Sequence, residues 1–88
     1  MGVPEISRFY GIVIQMYWDD HSFPHFHAFA SGRKAKVRVD KIEVLQSTLT
    51  RRQLTMVCEW AAVHQSELEM NWHRARVHAT LEPIEPWR

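Results

Sequence analysis

Three histidines stand within seven residues, at His21, His25 and His27, and three cations alternate just beyond them, at Lys34, Lys36 and Arg38. Both groups could do chemistry. An imidazole titrates near pH ~6.5, so of His25 and His27 one could accept a proton while the other donates one, as in RNA cleavage without a metal. Two histidines at i and i+2 of a strand also have the side-by-side spacing of metal ligands, with His21, Asp19 or Asp20 as a third. Three cations on one strand face can neutralise phosphates, and Phe29 nearby offers a base a surface to stack on. Lys36 and Arg38 would repel a divalent cation and favour an anion. A plain solvated sheet face would show the same alternation, so residue type alone leaves these readings open.

The elements that position these residues follow from periodicity. Arg8 to Trp18 is apolar on both alternating sets, which predicts one strand covered on much of both faces, with Gly11 as a bulge or close approach. Asp19 to Pro24 is loop chemistry. His25 to Ala30 and Arg33 to Val39 alternate as strands across a Ser31-Gly32 hairpin turn. That register sets Ala30 opposite Arg33, Phe29 opposite Lys34, His27 opposite Lys36, and His25 opposite Arg38. Phe26, Ala28, Ala35, Val37 and Val39 then form an apolar face for a helix to cover. His25, His27, Phe29, Lys34, Lys36 and Arg38 share the open face. Val37 and Val39 are out of phase with Ile42 and Val44, which predicts a two-residue turn at Asp40-Lys41 and a fourth strand.

Thr50 with Gln53 reads as a capping box opening a helix. Leu54, Val57, Ala61, Leu68, Trp72 and Ala75 fall at helical spacing and should face the sheet. Unbroken to Arg76 the helix would run about 39 Å, against a radius of gyration near 12 Å for a domain of this length. Ser66 to Glu69 repeats the capping pattern, so a kink or break is expected near Gln65. Leu81 to Arg88, with Pro83 and Pro86, reads as an extended arm docked by Ile84 and Trp87. His64 is expected to be partly buried, and His73 and His78 exposed. Trp60 falls outside the main apolar stripe and should pack under the arm rather than meet a partner. Arg51 and Arg52 occupy the first helical turn, where the macrodipole disfavours cations, so they are either plain surface charge or compensated by a partner.

Length and charge bound the rest. The 88 residues suit one domain over residues 1–88. A net charge of +1 means that nucleic-acid binding would rest on where the cations sit, not on their total. Cys58 is the only cysteine and lies in an apolar stretch, which points to a packed thiol and a reducing compartment. The start of the chain lacks the pattern of a signal peptide, and no apolar stretch is long enough to span a bilayer, so a cytoplasmic protein without membrane contact is expected.

Ile6 to Ile14, Asp20-His21, and Pro24-His25-Phe26-His27-Ala28 resemble the small prokaryotic family called domain of unknown function 4160. Arg51-Arg52, Glu59-Trp60-Ala61, His64-Gln65, Asn71-Trp72 and Ile84-Glu85-Pro86 extend the resemblance over nearly the whole chain. It implies a setting beside a second small gene, similar to a toxin–antitoxin or regulatory pair, and marks His21, His25 and His27 as motif positions without assigning them a role. Two departures stand out: Ser22-Phe23 where prolines are usual, and a third strand more basic than the family's.

The expected protein is therefore α+β: a four-stranded antiparallel meander with one long or kinked C-terminal helix on one face. Its expected function is a small binding or regulatory module of a two-gene system. It would meet RNA, DNA or a partner protein from a neighbouring gene through the histidine and cation face, with Lys34, Lys36 and Arg38 binding phosphates. Homo-oligomerisation is compatible with this. The rival is an enzyme, either a metal-free ribonuclease using His25 and His27, or a hydrolase with a divalent metal held by His21, His25 and His27.

Overall fold

Two glycine-containing turns set the course of the chain in the computed structural model, which describes residues 4–18 and 23–87. Tyr10 and Gly11 have φ of 49° and 76°, and Ser31 and Gly32 have 47° and 77°. Both pairs are two-residue turns with left-handed backbone at each position, the geometry that matches strand twist. The first closes a hairpin between β1 (Glu5–Phe9) and β2 (Ile12–Gln15). The second joins β3 (His25–Ala30) to β4 (Arg33–Arg38). With β5 (Glu43–Ser47) they form an antiparallel meander in the order β1-β2-β3-β4-β5.

The sheet thus has five strands, not four. The segment expected as one strand from Arg8 to Trp18 folds back at Tyr10-Gly11. Phe9 and Ile12 are both buried and pair across the turn. Their opposite parity would put them on opposite faces of one continuous strand, so a turn between them restores a single apolar face. The turn before β5 also differs from expectation. Arg38 pairs with Glu43, leaving a four-residue loop over 39–42 in which Ile42 takes φ 48°. The ladder slips between Lys36 and Val37, so Leu45 is an extra residue on the edge strand.

Two helices follow instead of one. α1 (Arg51–Val63) opens with the Thr50–Gln53 capping box, each side chain bonding the other's backbone amide. α2 (Gln65–Arg76) starts one residue after the break at His64. The break comes where expected, but Ser66 does not cap it. The N-cap is His64, whose Nδ1 lies 2.6 Å from the Glu67 carboxylate. Gln65 at the break donates to the Val39 and Asp40 carbonyls and ties α2 to the loop before β5.

The core lies between the helices and one sheet face. Ile12, Ile14, Met16, Phe26, Ala28, Val37 and Val39 meet Val57, Trp60, Ala61 and Leu68 there, all fully buried. Trp60 is the largest of these, packed on Phe9 and Phe26 at 5.3 and 5.9 Å, and is not outside the apolar stripe as its spacing implied. Its indole N–H donates to the Glu85 carbonyl at 2.8 Å, so it also holds the arm. Asn71 is fully buried and bonds both backbone groups of Glu82, and Ile84 donates its amide to the Ile6 carbonyl. The arm therefore covers the free edge of β1, a common remedy for exposed strand edges. No helix among the described residues is long and apolar enough to cross a membrane.

Candidate functional site

With the helices on one face, the other is left open, and its residues meet in rows across the strands. The register of β3 and β4 is the expected one: His25↔Arg38, His27↔Lys36, Phe29↔Lys34 and Ala30↔Arg33. Gln15 extends the His27 row on one side and Gln46 on the other. Tyr17, just past β2, stacks on His27 with centroids 5.0 Å apart and planes 3° from parallel. Phe29 stacks on the opposite side at 6.2 Å and 17°. Tyr17, His27 and Phe29 thus form a pile of three near-parallel rings. Tyr17 is exposed and Phe29 partly so. Sequence alternation placed His27 and Phe29 together but missed Tyr17, which lies after the strand end.

The expected sharing of this face fails at its His25 end. His25 is 1% exposed. Trp72 of α2 approaches its ring to 5.1 Å, Phe23 to 6.3 Å and His27 to 5.2 Å. Its Nδ1 sits 2.9 Å from the Phe23 carbonyl, so that nitrogen carries the proton and donates. Alternation sets the side of a strand-end residue, but the loop and helix that reach the end decide whether it sees solvent.

The cations also divide. Arg38 grips Asp40 through two hydrogen bonds of 2.6 and 3.0 Å and lies over the Phe23 ring at 4.4 Å. The Asp40 hydrogen bond raises the Arg38 pKa further, and the same bond lowers that of Asp40. Arg38 is therefore paired with Asp40 at the His25 end, unlike the other two cations. Lys34 and Lys36 enter none of the ion pairs among the described residues.

His27 is half-buried, and its pKa is lowered to about 4, first by desolvation and then by the charges of His25, Lys36 and Lys34. At neutral pH the ring is uncharged and offers one N–H and one acceptor nitrogen. An acid–base pair for RNA cleavage at neutral pH needs one imidazolium. His27 does not supply it, and His25 is enclosed.

His21, Asp19 and Asp20 lie outside the described residues. Among the described residues no three His, Cys, Asp or Glu side chains come together as a metal-ligand group. His64 is partly buried against Trp60 at 5.5 Å, and His73 and His78 are exposed, as their spacing implied. Cys58 is partly buried, and desolvation raises its pKa, which favours the protonated thiol over the reactive thiolate. Arg51 and Arg52 are exposed in the first turn of α1 with no acidic residue beside them in that turn. They line an apolar cleft of about 520 Å³ with Thr55, Met56, Glu59 and Trp87, which shares no residue with the open face.

A family model described as Domain of unknown function (DUF4160) matches residues 11–73, which include β2 to β5, α1 and most of α2. Comparisons with curated proteins and with solved structures give no match.

Proposed function

This chain belongs to the DUF4160 family, and because that description assigns no activity, we propose from the open face that it is a small module binding single-stranded nucleic acid. The observation that carries the reading is the ring pile of Tyr17, His27 and Phe29, with Lys34 and Lys36, in no ion pair among the described residues, alongside. Bases stack on the two outer faces of the pile, on Tyr17 and on Phe29. The lysines neutralise phosphate charge beside the pile. An open sheet with surface aromatics suits unpaired strands, whose splayed bases expose their faces, whereas a duplex hides them. The neutral His27 ring fills the middle of the pile and adds no charge repulsion against the lysines. Binding is favoured over the ribonuclease alternative because neither histidine is presented as a neutral-pH acid. The two-gene regulatory setting is part of the same proposal, and a partner protein covering this face is the competing outcome.

Fluorescence anisotropy with a labelled RNA hexanucleotide tests it. Two phosphate contacts predict a log–log salt slope of about −1.4. Lys36→Gln should halve that slope, while Arg38→Gln should leave it unchanged because Arg38 is held by Asp40. Tyr17→Ala and Phe29→Ala should each weaken binding by about 1–3 kcal/mol. A duplex bound as tightly as the single strand, or an affinity indifferent to salt and to Lys36→Gln, would refute the proposal and leave a protein partner as the better occupant.

A further inference from the structure

Between β4 and β5 the open face dips into a cavity of about 130 Å³ lined by His27, Lys34, Ala35, Lys36, Gln46, Ser47 and Thr48. It has room for about four water molecules and is well below the size of sites that enclose a drug-sized ligand. A compact group with several oxygens fits inside it. The lining suits an anion, for among the described residues no carboxylate lines the cavity and nearly every polar group there can donate. Lys34 and Lys36 bring two ammonium groups without an ion-pair partner among the described residues. Gln46, directly across from Lys36, brings an amide. The Ser47 hydroxyl accepts from the Leu49 amide at 3.1 Å, which leaves its own hydrogen to give. Thr48 is the exception. Its hydroxyl accepts from the Lys34 amide at 2.9 Å and lies 3.2 Å from the Lys34 carbonyl, so it serves as a wall that fixes β4 against the chain beyond β5.

We infer that this cavity seats a terminal phosphomonoester, so that the proposed face holds the phosphorylated end of a strand or nucleotide, and this rests on the reading of that face as a nucleic-acid surface. Charge and shape both select an end. A phosphomonoester carries about −1.5 to −2 at pH 7, which matches two ammonium groups, whereas an internal diester carries a single charge. An internal phosphate also needs an exit on two sides. Here the Gln46–Thr48 segment walls one side and Ala35 contributes to the lining, so a group with one ester bond enters more readily. Phe29 faces Lys34 in the register, which sets the first base on the outer face of the ring pile as its phosphate enters the cavity. The neutral His27 ring contributes an N–H. A bound dianion would then draw a proton toward that ring, against the opposing charges of His25, Lys34 and Lys36 that face it.

The test compares one hexanucleotide RNA in three forms on the 88-residue chain: 5′-phosphorylated, 3′-phosphorylated, and hydroxyl at both ends. Anisotropy at constant salt should show one phosphorylated form binding about tenfold or more tightly than the hydroxyl form, the scale of one or two charge-assisted hydrogen bonds. Gln46→Leu with Ser47→Ala, both at exposed positions, should reduce that preference while the hydroxyl form still binds. NMR of His27 should show its titration moving to higher pH when the preferred form is added. Inorganic phosphate and a nucleoside monophosphate serve as competitors. A monophosphate that binds as tightly as the oligonucleotide keeps the phosphate seat and overturns the strand-binding proposal. Equal binding of all three forms overturns the seat and leaves strand binding standing. No binding of any form overturns both.

Discussion

Acidification is the perturbation that bears most directly on how His27 is held. The folded ring takes a proton only near pH 4, while a histidine in an unfolded chain does so near 6.5. Between these values the unfolded chain holds the proton and the folded one does not, so each step down in pH favours unfolding. The stability that His27 retains by staying neutral is complete above about pH 6.5 and is lost as pH falls toward 4. At about 1.4 kcal/mol per pH unit the window sets a ceiling of ~3 kcal/mol. The ring is only half-buried and its lysine neighbours are partly in water, so screening reduces this to about 1–2 kcal/mol. Urea unfolding followed by tryptophan fluorescence at intervals from pH 8 to 4 measures it, as the difference between the wild type and His27→Gln. The variant curve should be flatter by that amount. Lys36→Gln removes one of the charges that oppose the protonated ring and should raise the His27 titration seen by NMR. A wild-type His27 that titrates at or above 6.5, or a His27→Gln curve parallel to the wild type, would refute the account of a ring kept neutral by burial and cations, and with it the argument against His27 as an acid.

Three further outcomes follow from the packing. Asn71→Ala strips both backbone groups of Glu82 of their buried partner, so it should cost about 2–4 kcal/mol and make the arm after Leu81 the first site of limited proteolysis. Tyr10→Asn should raise stability by about 0.5–1 kcal/mol, read as a shift in the urea midpoint, because Tyr10 holds φ 49° while 70% exposed and gives up no core contact. The Cys58 thiol, its pKa raised by burial, should react with a thiol reagent at pH 8 more slowly than a free cysteine, and a matching rate would contradict that burial.

Much of this arrangement was determined by local pattern. Ser31-Gly32 between two alternating runs left one register for β3 and β4, and every pair followed it, because a one-residue slip would turn Phe26, Ala28 and Val37 toward water. The Thr50–Gln53 box and the break near Gln65 were legible for the same reason: capping acts over three or four residues. Tyr10-Gly11 was legible in principle, since Phe9 and Ile12 are out of phase in the way Val39 and Ile42 are. A tyrosine in a left-handed position hid it, because turns of that kind favour Asn, Asp or Gly. What alternation could not supply was the third dimension. Trp72 and Phe23 lie far from each other in sequence, and only their convergence encloses His25. Tyr17 completes the ring pile from beyond a strand end, where period-two spacing no longer speaks. Arg38 reads as one of three equal cations until a turn brings Asp40 within 2.6 Å. The sequence by itself determined which residues share a face, since that depends on periodicity alone. Which of them are buried, paired or free to bind depended on contacts made at turns and between distant segments, and those exist only once the chain has folded.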